Sequence, residues 1–169
     1  VRENRIRTRD GEVLQFEWHG WPCEDETGEV ECLVGIGLDV TGRARAEQAL
    51  SETEGLYRTL FENTGAATAV IEEDTTLSLV NSEFEALSGW TRDEIEGRKS
   101  WTEFVPPEEL GRMLAYHRQR RIDPAAAPRN YACRLINRRG EVREAYATVA
   151  MIPGTTRSVI SVLDITDHK

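Results

Sequence analysis

From residue 42 the apolar positions take a helical spacing: Ala46, Leu50, Thr53, Tyr57 and Leu60 recur at alternating steps of four and three among Arg, Glu and Gln. This seam predicts a helix over residues 42–63, weakened by Gly55 and too short to stand alone. Two readings of it stay open: a linker with one face on its own domain, or a parallel dimer seam. The period then shortens. Ala69-Val70-Ile71 and Leu77-Ser78-Leu79-Val80 flank the polar stretch Glu72 to Thr76, which predicts two antiparallel strands joined by a turn. Asn81 is placed to cap a short helix carrying Phe84 and Leu87 and ending at Ser88-Gly89, and Thr91-Arg92-Asp93-Glu94 has the capping-box pattern of a second. Pro106-Pro107 opens a longer helix with Leu110, Met113, Leu114 and His117 on one face, which Asp123-Pro124 ends. Residues 129–166 alternate apolar and polar, with turns expected at Asn137 to Gly140 and Pro153 to Thr155, so three longer strands close the chain.

Part of that ending is also present near the start. Arg9-Asp10-Gly11-Glu12-Val13 reappears as Arg138-Arg139-Gly140-Glu141-Val142, and Gly37-Leu38-Asp39-Val40-Thr41 as Val162-Leu163-Asp164-Ile165-Thr166. The segment between the anchors is slightly longer in the first copy, an insertion that a hairpin loop absorbs. The first copy lies close to residue 1, so the expected layout is a truncated first unit followed by a complete one.

Composition narrows the function classes. The 169 residues hold one domain of ordinary size plus a fragment. With 21 basic and 30 acidic residues the net charge is −9, which argues against generic affinity for nucleic acid or an anionic bilayer and favours a small ligand or a protein partner. The longest uncharged apolar run, Cys32 to Leu38, is too short to cross a bilayer, and no signal segment opens the chain. No membrane contact by this piece and a cytoplasmic location are expected, with a membrane-anchored parent left open. Cys23, Cys32 and Cys133 lack paired metal-ligand spacing; reduced thiols are expected, although Cys23 and Cys32 face each other across a hairpin turning near Glu26 to Gly28 and would pair in an oxidising compartment. No Ser/His/Asp signature, Gly-rich phosphate cradle or metal-spaced cluster is present, so neither a catalytic nor a metal site is expected. The acidic groups Glu72-Glu73-Asp74 and Glu108-Glu109 read as solvated carboxylates.

The order strand, strand, helices, strand, strand, strand carries a resemblance. Ser88-Gly89-Trp90-Thr91-Arg92-Asp93-Glu94-Ile95-Glu96-Gly97 resembles the helical signature SGYTREEIIG of PAS domains, and Asp164-Ile165-Thr166 resembles the end of their last strand. Asp39-Val40-Thr41 followed by Ala46-Glu47-Gln48-Ala49-Leu50 resembles the junction between tandem PAS domains, and Tyr57 to Asn63 the start of the next unit in multi-PAS sensor kinases. The resemblance implies an α+β PAS fold: a five-stranded antiparallel sheet with short helices on one face over residues 64–169, a linker helix over 42–63, and the last three strands of a preceding PAS domain over 1–41.

It also implies a sensory or relay module, with a histidine kinase or other output domain outside this chain and a homodimer formed through the linker helix or a sheet edge. The cavity of such a fold holds a ligand in some members and is plain core in others. Flavin photochemistry is disfavoured, because Ser100 in Gly97-Arg98-Lys99-Ser100 stands where the photosensory members carry a reactive cysteine. Haem is disfavoured too: Met113, not His117, falls near the position of the relatives' axial histidine, and the arginines after His117 read as a wet basic face. No cofactor is required and a small organic ligand fits. Phe84, Leu87, Trp101, Phe104, Leu114, Tyr131, Val149 and Ile160 are the candidate lining, each equally readable as core, and Trp101 and Tyr131 stand out because their polar tips need partners when buried. Arg134 reads as a surface ion-pair partner rather than a handle for a ligand. Asp39, Thr41, Asp164 and Thr166 are expected to set the angle at which each sheet hands over to the next segment of chain.

Overall fold

The computed structural model describes residues 1–166, and the chain divides into two compact units, residues 1–57 and residues 58 onwards. In the first unit β1 (Arg2–Arg7), β2 (Val13–Glu24) and β3 (Val30–Asp39) form an antiparallel meander in that order. Its first turn closes with Thr8 N–H donating to the Glu12 carbonyl (2.8 Å), and Gly11 takes the left-handed φ of 86° that the turn demands. Cys23 and Cys32 are directly opposite across β2 and β3, and both are exposed.

Helix α1 (Thr41–Glu62) covers the segment expected to be helical. Along its seam Leu50, Tyr57 and Leu60 are 60%, 52% and 63% exposed.

The second unit holds β4 (Ala67–Ile71), β5 (Leu77–Val80), α2 (Ser82–Ser88), α3 (Arg92–Ile95), α4 (Pro107–Ile122), β6 (Asn130–Ile136), β7 (Val142–Met151) and β8 (Ser158–Asp164). The strands form one antiparallel sheet in the order β5-β4-β8-β7-β6. Alternation decides which face is buried: Ala145, Ala147 and Val149 of β7 and Ser158, Ile160 and Val162 of β8 are buried, while the intervening Tyr146 and Leu163 are exposed. Phe84, Ile95, Trp101, Phe104, Val105 and Met113, from the segment between β5 and β6, complete that core.

The caps explain why the helices sit where they do. The Asn81 carboxamide oxygen accepts from the Phe84 N–H (3.0 Å), and Gly89 ends α2 at a φ of 75°. Glu94 reaches back to accept from the Thr91 N–H (3.0 Å). The sequence pattern does not announce two short 3-10 turns, Trp101–Phe104 and Pro124–Ala126; Ser100 and Asp123 cap them by accepting from Thr102 N–H and Ala125 N–H. Ser100 thus fixes the start of the turn that carries Trp101.

Candidate functional site: a cavity with a cationic end and a hydrogen-bonded joint

A cavity of about 50 Å³ lies in the core of the second unit, with α2, the Trp101–Phe104 turn and α4 on its walls together with the sheet. Phe84, Leu87, Trp101, Phe104, Tyr131, Val149 and Ile160 line it, as the sequence suggests. Leu114 does not: it is half-buried and packs against the core from one position off the inward face of α4. That face is Met113, His117 and Arg120, at steps of four and three residues, and all three are buried and line the cavity. The wet basic face expected after His117 is therefore corrected, since His117 and Arg120 are only 6% and 4% exposed. The signal was present in the spacing, but an arginine at a buried helical position runs against its usual distribution.

Three basic residues of α4 lie at this end of the unit. His117 Nε2 is 2.9 Å from the Glu73 carbonyl oxygen, which only accepts, so Nε2 carries the hydrogen and Nδ1 is left to accept from Arg121 Nη1 at 3.0 Å. Burial lowers the imidazole's pKa, and the neighbouring cations of Arg121, Arg120 and Arg118 act in the same direction against the Glu73 bond. Arg121 donates to the Glu72 carbonyl (3.1 Å) and the Ser158 hydroxyl (3.4 Å), bracing α4 against β4 and β8. Arg120 donates to the Pro128 carbonyl (2.7 Å). Among the described residues neither Arg120 nor Arg121 has a carboxylate within ion-pair distance.

The polar tips of Trp101 and Tyr131 fare differently. Trp101 stacks at a tilt on His117, ring centres 5.7 Å apart, and its indole Nε1 is buried without a hydrogen-bond partner among the described residues. Burial raises the pKa of Tyr131 and keeps it a neutral phenol, its ring 5.2 Å from that of Tyr116. Arg134 forms the ion pair expected of it, with Glu109 at 3.1 Å. Glu109 is consequently not a free solvated carboxylate; Arg134 and Arg112 hold its pKa low against the opposing effect of burial, which is the largest single influence.

The two handover points share one hydrogen-bond pattern. Asp39 Oδ1 accepts from the Thr41 N–H (2.9 Å) and hydroxyl, while the Thr41 hydroxyl oxygen accepts from the Gln15 N–H (2.9 Å). Asp164 Oδ1 accepts from the Thr166 N–H (2.9 Å) and hydroxyl, and the Thr166 oxygen accepts from the Glu144 N–H (3.1 Å). In each copy the Thr locks the end of one strand to the start of its neighbour. The Thr41 bonds hold the pKa of Asp39 below the usual carboxylate range. One residue joins the second joint to the cavity: Arg143 lines the cavity and reaches Asp164 Oδ2 at 3.5 Å, a residue sequence reasoning did not single out.

A sheet in this strand order, with short helices over its buried face and a cavity between, defines a compact class of α+β module. The chain belongs to the PAS family, whose family model, described as the PAS fold, matches residues 55–157. It is 32% identical over 124 residues to the two-component sensor PprA of Pseudomonas aeruginosa, spanning 68% of this chain and 13% of that protein. It is 36% identical over 96 residues to the probable diguanylate cyclase DgcE of Escherichia coli, spanning 56% of this chain and 8% of that protein. Among solved structures, the PAS domain of an HTR-like protein from Haloarcula marismortui superposes with a TM-score of 0.56 at 24% identity, covering 72% of this chain and 99% of that one. The chain therefore spans a small part of the curated relatives it matches and supports a signal-sensing role through this domain. No helix among the described residues is long and apolar enough to cross a membrane.

Proposed function

We propose that this chain is the input and relay module of a signal-transduction protein, of the two-component sensor histidine kinase kind, lying in the cytoplasm. Occupancy of the cavity changes the strand ends, and the adjoining segments carry the change to an output domain that does the catalysis. The observation that carries the reading is Arg143, which touches both the cavity and Asp164. A shift of its guanidinium alters the joint directly, with no need for the whole sheet to deform. Residues 1–41 are read as the last three strands of a preceding PAS domain, 42–63 as the linker and 64–169 as a complete PAS domain. The support for this division is the repeated Asp and Thr joint, together with matching first turns, in which Gly11 and Gly140 take φ of 86° and 79°. A flavin or haem fits poorly in a cavity of about 50 Å³ whose histidine has both nitrogens engaged.

The test is signalling in the full-length parent. Asp164→Ala and Arg143→Met are each expected to disconnect the output activity from the stimulus while the melting temperature of the domain changes little. A stimulus response unchanged in both variants would remove the relay role.

The exposed α1 seam favours a second reading, a ligand-free dimerisation module, in which Leu50, Tyr57 and Leu60 meet a second copy. Leu50→Glu together with Leu60→Glu then converts a dimer to a monomer in light scattering. A mass unaffected by both changes rules the seam out as the dimer contact.

A further inference from the structure

The cavity carries a charge imbalance that a plain core would not keep. Among the described residues its lining includes His117, Arg120 and Arg143, and no aspartate or glutamate. Arg143 has its counter-charge in Asp164 at 3.5 Å and Glu141 at 3.6 Å. Arg120 has none among the described residues, although it is 4% exposed and its guanidinium cannot shed its proton. An unpaired buried cation is expensive unless something negative comes to it. Among the described residues the chain offers no anion at this place, because burial holds the Tyr131 phenol neutral and pushes the Cys133 thiol up to about 11. The second mark is Trp101, which is 8% exposed, lines the same cavity and has an indole N–H without an acceptor among the described residues.

We propose that the cavity binds a short organic acid, its carboxylate taken up by the Arg120 guanidinium and the Trp101 indole N–H, and its carbon chain lying among Ile71, Phe104, Met113 and Ile160. A carboxylate matches the donors, since two oxygens satisfy one cation and one neutral N–H, and charge-assisted bonds of this kind are the strong ones. The remaining wall is largely apolar, which suits a hydrocarbon tail and not the full donor shell that phosphate needs. Size sets the tail: about 50 Å³ is room for roughly four water-sized positions, so the ligand has only a few heavy atoms. The competing account makes Arg120 purely structural, a side chain holding the Pro128 and Tyr116 carbonyls (2.7 and 3.5 Å) and the Tyr131 hydroxyl at the end of α4. This inference rests on the cavity being a sensor site.

The whole chain, labelled at its indole nitrogens, is titrated with propionate and butyrate, with propionamide and propanol as neutral matches, and with nitrate as a bare anion. The Trp101 indole signal, assigned by its loss in Trp101→Phe, is expected to move on adding either acid. The neutral matches are expected to bind about tenfold more weakly or worse. Arg120→Met is expected to abolish the acid response, and Trp101→Phe, which has no indole signal and is read by isothermal titration calorimetry with the same acids, to bind them severalfold more weakly and provide the test if Arg120→Met does not fold. Propionamide or propanol binding as well as propionate leaves the sensor reading standing and overturns the acid. Nitrate matching propionate overturns the organic ligand. No response to any of them overturns both the acid and the small-molecule sensor reading, and an acid response intact in Arg120→Met returns that residue to its structural role.

Discussion

Asn81 ties together the elements that open the second unit, and its loss can be worked out bond by bond. Its side chain is fully buried. The carboxamide oxygen accepts from Thr68 N–H (2.8 Å) and Phe84 N–H (3.0 Å), and the amide nitrogen donates to the Phe61 and Ala66 carbonyls, both at 3.0 Å. One side chain therefore ties the last turn of α1 to the start of β4 and caps α2. In Asn81→Ala the lost cap removes about 1 kcal/mol. The Thr68 N–H, on a residue 3% exposed, is left without its side-chain acceptor at a further ~1–3 kcal/mol. With two carbonyls also abandoned, the expected total is about 3–5 kcal/mol, or a fall in melting temperature of roughly 15 °C for a unit of this size. Differential scanning calorimetry on the whole chain, together with urea titration, measures it. Asn81→Asp separates the two halves of the role: it keeps both acceptor bonds and turns an oxygen toward the two carbonyls, so it should be destabilising at neutral pH and recover as acid protonates the new carboxyl. A loss below about 1 kcal/mol in Asn81→Ala would show that water replaces these bonds, and the coupling of α1 to the fold through this side chain would be abandoned.

Two further predictions concern titration and redox. His117 is kept neutral by burial and nearby arginines, whereas in the unfolded chain it titrates near 6.5. The unfolded state then binds the proton first, so this contribution to stability is complete above about pH 6.5 and is lost as pH falls below it, at no more than ~1.4 kcal/mol per pH unit. His117→Gln should flatten the stability profile in that window; an unchanged slope assigns the acid sensitivity to other groups. Cys23 and Cys32 are cross-strand partners and exposed, while Cys133 is buried, so mild oxidation should join the first two within one chain and leave Cys133 free. Peptide mapping by mass spectrometry that found Cys133 in the bridge, or only intermolecular bridges, would contradict the hairpin register.

How much of this is readable in the sequence depends on the range of the interaction concerned. Asn81, Gly89 and the Thr91 to Glu94 box act on backbone groups within a few residues, so their types and spacing announce α2 and α3 correctly. The hairpin turns at Gly11 and Gly140 are readable for the same reason, because a left-handed φ calls for glycine. Most of the cavity wall is readable as well, since aromatic and branched residues on inward-facing positions have few other places to go. Leu114 misses the lining by a single helical position, about a quarter of a turn. His117 and Arg120 depart from expectation for a deeper reason. A basic side chain at a helix end is ordinarily wet, and nothing local reveals that the Asp123 to Pro128 segment supplies a carbonyl to Arg120 or that the Glu73 carbonyl meets the imidazole.

By itself, the sequence determined the order of elements, the caps and turns, the family, and the twice-used Asp and Thr joint. These rest on hydrogen bonds and periodicities spanning a few residues, which composition and spacing encode directly. Only the tertiary structure decided which polar side chains were carried into the interior. It closed the cavity around an arginine and an indole that have, among the described residues, no counter-charge and no acceptor respectively, and set Arg143 between that cavity and Asp164. Those relations join residues far apart in the chain, and burial belongs to the packed surfaces around a side chain rather than to the side chain itself.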